Sequence, residues 1–168
     1  MKKNYKLYNI FFPIWILWLI PTTWIFAIPI NFVFDFFVLY FTIKLLKLEN
    51  PFSKSKKSII SVFISGFIAD FIGSVLLIIL ATSGYLNSAW SDYLFENPFL
   101  SVQSFLLMLF FVIISAICIY FLNYRFSFRK IDIDNKDRKK ICLSLAIFTA
   151  PYFFFLPTEI VYNILSII

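Results

Sequence analysis

The sequence predicts an all-α integral membrane protein built from five transmembrane helices. Three observations favour this class. The chain of 168 residues is 61% hydrophobic and has a mean hydropathy of +0.88, whereas soluble domains are usually about half apolar. Its apolar residues form runs long enough to cross a bilayer. Each of the 15 Lys and Arg side chains lies outside these runs or at the end of one.

Five apolar runs define the predicted helices of a single domain that covers residues 1–168. The first two runs would together span about 57 Å as one helix, well beyond the roughly 30 Å of a bilayer core. We therefore expect the chain to turn back at residues 21–23, which makes the first helix short. Residues 157–168 are expected to lie along the membrane interface. The runs comprise residues 8–20, 24–46, 59–81, 99–122 and 141–156.

The distribution of positive charge predicts the orientation of the helices, because Lys and Arg collect on the cytoplasmic side of membrane proteins. If the N-terminus is inside and all five runs cross, the 15 positive side chains all fall on the inner side, at residues 2–6, 44–57 and 125–140. The outer loop at residues 82–98 has no Lys or Arg. We predict a multi-pass protein of the cell membrane with N-inside and C-outside termini, whose outer loop lies along the interface, partly as a short helix.

The composition argues against several kinds of chemistry. The chain has no His, which removes the commonest general base and the commonest metal ligand. Its two Cys residues are too few for a structural zinc site. The stretch from Gly66 to Asp70 also lacks the Gly-x-Gly-Asp motif of intramembrane aspartyl proteases. We therefore expect no enzymatic activity, no metal, no cofactor and no nucleic-acid partner.

Two acidic residues, Asp35 and Asp70, lie near the middle of the second and third apolar runs. A charged side chain at the bilayer centre costs at least about 2.5–3.5 kcal/mol, so such a residue indicates a functional site. The two runs are joined by a short polar loop and must be antiparallel, which puts both acids at a similar depth. Low dielectric and mutual repulsion favour the protonated form, so we expect at least one acid to be neutral.

Polar residues elsewhere in the runs are the expected neighbours of these acids. Pro151 has no backbone N–H, which leaves the carbonyl of Ile147 without its helical donor and also indicates a polar interior. The acids are candidates for proton or cation coupling or for contact with a polar substrate, and two alternatives stay open, namely neutral structural carboxyls and contact with a partner subunit. The predicted site for a substrate or a cation comprises Asn31, Asp35, Asp70, Ser74 and Thr149.

Small residues recur every four positions in the third run. Ser65, Ala69 and Gly73 form two small-xxx-small steps, and Gly66 stands beside them. Small side chains let a neighbouring membrane helix approach closely. The pattern therefore predicts a helix-packing face, which would place Asp70 inside the bundle.

Residues 119–129 resemble the helix end of the GtrA-like membrane protein family, in which an Asn, basic residues and a Phe close a membrane helix. The matching residues here are Asn123, Arg125, Phe126 and Arg129. The resemblance implies a role in moving polyprenyl-phosphate-linked sugars across a membrane. It covers this stretch only, and the five predicted helices differ from that family's four. The alternative is an ordinary helix end with Phe126 and Phe128 at the interface.

Our leading functional hypothesis is a small membrane protein of the transport or substrate-binding type, with Asp35 and Asp70 as interior polar sites. The alternative is a non-catalytic accessory or immunity subunit that packs against a larger membrane complex. Lipid-linked sugar translocation is the third hypothesis. Five helices are few for a solitary transporter, so we expect a homo-oligomer or a larger membrane complex within the lipid bilayer.

Overall fold

The computed structural model describes residues 21–86, 88–129 and 131–157, with side chains from residue 28 onward except at residues 88–91. Within these ranges the chain is helical and has no β-strand, which confirms the predicted all-α class. The first predicted helix, at residues 8–20, and residues 158–168 of the tail lie outside the described residues. The helices are α1 (Pro21–Leu45), α2 (Pro51–Thr82), α3 (Ser88–Glu96), α4 (Val102–Leu122) and α5 (Asn135–Phe148).

Three segments are long and apolar enough to cross a membrane, namely Ile28–Leu45, Pro51–Thr82 and Val102–Ser127. They correspond to the second, third and fourth apolar runs. With 32 residues, α2 is about 48 Å long and exceeds the roughly 30 Å of a bilayer core. Its first turns carry Lys54, Lys56 and Lys57.

A tight turn after α1 makes α1 and α2 antiparallel neighbours. Lys47 takes up a left-handed conformation with φ 55°, and the N–H of Leu48 donates to the carbonyl of Ile43 at 3.3 Å. This is the Schellman arrangement, which satisfies the last carbonyls of a helix. Pro51 then begins α2, where its missing N–H costs nothing. The turn brings the acids of the two helices toward each other.

Helix α2 is the centre of the bundle, with α1 and α4 packed against it and α5 packed against both α1 and α4. One side-chain hydrogen bond, at 2.6 Å between the hydroxyls of Thr42 and Ser144, ties α1 to α5. The buried residues of α2 recur at helical spacing and include three of the four predicted small residues, while Gly66 is half-buried. They are Ser55, Ser58, Ile59, Val62, Ser65, Ala69, Gly73 and Leu77.

Beyond the fourth apolar run, α4 continues into a π-helical turn, Asn123–Ser127. The buried amide of Asn123 donates to the carbonyl of Ile119 at 2.9 Å and accepts from the Ser127 hydroxyl at 2.6 Å. The expected interfacial position of Phe128 is wrong, because its side chain is 0% exposed. The chain turns inward here and packs Phe128 into the core among α1, α2, α4 and α5.

The fifth apolar run does not form the continuous helix expected over residues 141–156. Helix α5 ends at Phe148, and the chain continues as a 3-10 turn, Tyr152–Phe155. Pro151 explains the break, since the residue before a proline avoids the α conformation and the proline ring cannot donate to the preceding turn. Residues after Phe148 are thereby free to fold across the bundle instead of extending α5.

The connection between α2 and α4 contains the predicted short helix, α3. The Asn97 side chain accepts from the N–H of Phe99 at 3.0 Å, and Ser101 caps the start of α4. The described Lys and Arg residues all lie elsewhere, at the end of α1, the start of α2, the end of α4 and the start of α5. Short connections join α1 to α2 and α4 to α5, and α2 and α4 are antiparallel, so these four termini lie at one end of the bundle. Helix α3 joins the other ends of α2 and α4 and therefore lies at the opposite end.

Candidate functional site

A cleft of about 490 Å³ opens between α1, α2 and the segment that follows α5. We call it the acidic cleft. Its lining includes the polar residues Asn31, Asp35, Asp70 and Thr149, together with the hydroxyl-bearing Tyr152. The structure therefore brings together four of the five residues that the sequence predicts for the site. Sequence positions as far apart as 31 and 149 meet because α5 ends beside α1.

Asp35 forms part of the floor of the cleft. Its side chain is 8% exposed, and a Cβ atom built on Gly66 of α2 would lie 3.7 Å from its Oδ2. The Thr149 hydroxyl also interacts with this carboxyl, while it donates to the carbonyl of Leu145 at 2.8 Å. Because Gly66 has no side chain, the space over the Asp35 carboxyl stays open toward α2.

Asp70 contributes an acceptor that the fold does not use. Its Oδ1 is shielded from solvent and has no hydrogen-bond partner among the described residues. It lies near enough to Asp35 for the two carboxyls to interact electrostatically. An unsatisfied buried acceptor costs about 1–3 kcal/mol, and buried polar groups without a partner are exceptional in proteins. The Asp70 carboxyl therefore requires an explanation beyond the stability of the fold.

In the part of the chain that the structure describes, the residues that line the cleft carry no positive charge. The nearest Lys in the sequence of α1 is Lys44, about 13 Å along the helix from Asp35. No three His, Cys, Asp or Glu residues in the described part of the chain are grouped to hold a metal ion. Among the described residues, the two carboxyls thus line the cleft without a cationic side chain beside them.

Aromatic rings form most of the cleft wall, which the sequence reasoning did not anticipate. Eight lining residues are phenylalanines. Ring contacts connect them to each other and to their surroundings, including Phe63 to Phe67 with centroids 6.0 Å apart and Phe99 to Phe155 at 6.0 Å. Part of this wall was detectable, because Phe63 and Phe67 precede Asp70 by seven and three residues and so lie on its side of α2. The others are Phe34, Phe148, Phe153 and Phe154.

Residues 153–157 form the side of the cleft opposite α1 and α2. A hydrogen bond next to the helix break at Pro151 holds this segment. The Tyr152 hydroxyl donates to the carbonyl of Ile147 at 2.5 Å. The prediction that this carbonyl stays free is therefore wrong, because the tyrosine replaces the donor that the proline lacks. The bond closes a tight turn of the chain, and the residues after it, 153–157, line the cleft.

The remaining predicted residues serve other contacts. Ser74 is not among the lining residues, and its hydroxyl donates to the backbone carbonyl of Asp70 at 2.8 Å. A Cβ atom on Gly73 would overlap Ser115 Oγ of α4 and lie 3.4 Å from Ser115 Cβ. Ala69 is buried, as is Ser65, whose hydroxyl lies 3.4 Å from that of Ser127.

Comparisons with protein-family models, with curated proteins and with solved structures give no match for this chain. The resemblance of residues 119–129 to the GtrA-like family stays a prediction. In the structure, Arg125 and Arg129 of this stretch are exposed and lie 5.9 Å and 5.1 Å from the ring of Phe126.

Proposed function

We propose that the protein binds a small solute in the acidic cleft and is a membrane protein of the transport or substrate-binding type. Asp35 and Asp70 are the groups that bind the solute, and Asn31 and Thr149 orient it. The observation that carries the proposal is the Asp70 Oδ1, which is shielded from solvent beside a cleft of about 490 Å³ and lacks a hydrogen-bond partner among the described residues.

The cleft has the size and construction of a ligand site. Ligand pockets usually enclose about 300–1,000 Å³, with apolar walls and a few convergent polar groups. A purely structural carboxyl would be expected to have its hydrogen bonds satisfied within the fold. Intramembrane acids that face a cavity commonly mark solute pathways and proton relays. Proton or cation coupling through Asp35 and Asp70 is therefore part of the proposal.

The proposal includes a five-span topology in the cell membrane, with the N-terminus inside. It is supported by the positions of Lys and Arg, which lie together at one end of the described bundle, while α3 carries Asp92 and Glu96 at the other. With Cys118 and Cys142 replaced by Ala, a thiol reagent that cannot cross the membrane should label Tyr85→Cys and Trp90→Cys on intact cells. Lys136→Cys should react only after permeabilisation. Labelling of position 85 or 90 only from inside would contradict this topology.

The binding role of the acids is tested with Asp35→Asn, Asp70→Asn and the double variant. Asn keeps the size and the hydrogen-bonding capacity of Asp, but it cannot titrate or carry charge. The full chain is purified in detergent, and its thermal stability is measured with a panel of organic cations, anions and neutral polar solutes. A ligand at 100 times its dissociation constant stabilises the folded state by about 2.7 kcal/mol.

We expect at least one solute to stabilise the wild-type chain and Asp92→Asn, a control with the same change at an exposed position of α3. The double variant should unfold at a similar temperature without solute and gain no stability with it. If no solute stabilises the wild-type chain, or if the double variant responds equally, the binding role is wrong. The accessory or immunity role then becomes the preferred hypothesis. Cross-linking in membranes would test for the expected homo-oligomer or larger complex.

A further inference from the structure

We propose that the ligand of the acidic cleft is a lipophilic organic cation, such as a substituted quaternary ammonium ion. This inference rests on the proposed function and specifies its solute. The positive charge lies between the carboxyls of Asp35 and Asp70, and the apolar body of the ligand lies against the phenylalanine wall.

The charge of the ligand follows from the charges around the cleft. Two carboxyls line it, and none of the described residues in its lining carries a positive charge. An opposite charge nearby stabilises an ionised carboxylate in a region of low dielectric, whereas a like charge destabilises it. An anionic solute would meet the two acids with no Lys or Arg in the lining to offset them. A cation is an electrostatic partner for Asp70 Oδ1, which has no hydrogen-bond partner among the described residues.

The form of the cation follows from the walls. A bare ion such as Ca²⁺ is bound by oxygen ligands, whereas eight of the residues that line the cleft are phenylalanines and five carry a side-chain oxygen. Phenylalanine rings instead attract cations through their faces, at up to about 6 Å from the ring centroid, and quaternary ammonium groups are recognised in this way. Phe63 and Phe67 on α2 adjoin Asp70. The same rings give an apolar ligand body a surface to contact.

Exposure along the cleft gives the ligand an orientation. Aromatic side chains that are more than half exposed form its rim, including Phe34 at 51%, Phe99 at 61% and Phe153 at 63%. The floor is more deeply buried, since Asp35 is 8% exposed and Phe154 is 6% exposed. A cation with an aromatic substituent therefore enters with its charged group first and leaves its ring among the rim residues.

Benzyltrimethylammonium is a suitable cationic probe. Two comparison compounds have the same aromatic group, namely its uncharged carbon isostere and the anion benzylsulfonate. Equilibrium dialysis against the full chain in detergent measures the affinity of each compound, and the empty micelle is subtracted. We expect the wild-type chain to bind the cation at least tenfold more tightly than either comparison compound. Asp35→Asn and Asp70→Asn should each weaken cation binding at least tenfold and leave the neutral isostere unaffected.

The aromatic contribution has its own pair of variants. Phe67→Leu keeps an apolar side chain but removes a ring face, and it should weaken cation binding several-fold. The matched control is Phe110→Leu on α4, because Phe110 is 55% exposed and does not line the cleft. This control should bind as the wild-type chain does. Equal losses in both variants would overturn the role of the aromatic wall.

The outcomes separate this inference from the proposed function. If the neutral isostere binds the wild-type chain as tightly as the cation, the inference fails, and this comparison does not depend on the folding of any variant. If an anion or a neutral solute from the panel binds instead and Asp70→Asn abolishes that binding, the proposed function stands while the organic cation is wrong. If no compound binds, both fail.

Discussion

Two glycines of α2 have opposite surroundings in the structure. At Gly73, an added Cβ atom would overlap Ser115 Oγ and lie 3.5 Å from the carbonyl oxygen of Phe111, so α4 fills the space next to the helix. At Gly66, the nearest atom to such a Cβ would be Asp35 Oδ2, at an ordinary contact distance of 3.7 Å. The first glycine closes a helix contact, and the second leaves the floor of the acidic cleft open.

The comparison shows that a small residue in a membrane helix has no single meaning. Gly66 and Gly73 are seven residues apart, and seven steps of 100° differ from two full turns by only about 20°. The two residues therefore lie at nearly the same angle around α2. Their surroundings differ because α1 stands beside one level of the helix and α4 beside the other. Association of membrane helices depends on close van der Waals contact, so we expect the filled level to contribute more to stability than the open one.

The largest expected effect comes from the same substitution at both glycines. Gly73→Ile should destabilise the fold by at least about 1–3 kcal/mol, the usual cost of overpacking, because the branched side chain would force α4 away. Gly66→Ile should cost less stability, since its side chain can enter the cleft, but it should abolish solute binding. Thermal unfolding in detergent and dialysis with benzyltrimethylammonium measure the two effects.

A larger loss of stability for Gly66→Ile than for Gly73→Ile would reverse the comparison. It would mean that the α1–α2 contact, and not the α2–α4 contact, is the tight one.

A smaller effect is expected from the pair Gly73→Ala and Ser115→Ala. Gly73→Ala should lower stability by about 1 kcal/mol or more through overpacking. Ser115→Ala should be close to neutral, because the Ser115 hydroxyl is buried and has no hydrogen-bond partner among the described residues. In the double variant, the nearest contact becomes the β-carbon of residue 115 at 3.4 Å, so most of the loss should be recovered.

The coupling free energy from this double-mutant cycle is the quantity to measure. Simple additivity of the two substitutions would show that the Ser115 hydroxyl is not the group that limits the approach of α4.

The smallest expected effect sharpens the cleft side of the comparison. Tyr152→Phe removes the hydrogen bond to the carbonyl of Ile147, which should cost about 0.5–1.5 kcal/mol of stability. It should also weaken solute binding, because the turn that directs residues 153–157 along the cleft loses its donor. Tyr120→Phe on α4 is the control, and Tyr120 does not line the acidic cleft. Unchanged binding by Tyr152→Phe would show that the wall holds its position without this bond.

Much of the site was predictable from the acids and their neighbours in sequence. Asp35 and Asp70 stand out because a carboxyl within an apolar run is costly, and the short connection between α1 and α2 requires the two helices to be adjacent. Thr149 was identified only as a polar residue in an apolar run. Its position beside Asp35 could not be derived, because it depends on where α5 ends and how α5 crosses α1.

Other predictions failed where a residue's type did not reveal its neighbours. Ser74 bonds to its own helix, as Ser and Thr hydroxyls commonly do in helices, and so it does not reach the cleft. Phe128 follows a basic helix end, which favours the interface, yet the π-helical turn directs it into the core. Both outcomes depend on local geometry that periodicity does not contain.

The sequence by itself determined the all-α class, the apolar segments and the two interior acids, because hydropathy and the cost of a buried charge act on each residue where it stands. The tertiary structure alone decided which small residue closes a contact and which leaves a cavity. It also decided that the chain after Pro151 brings an aromatic wall across the acids. These features depend on which helix packs against α2 at each position along its axis. Helix packing decides this, and the spacing of residues in the sequence does not.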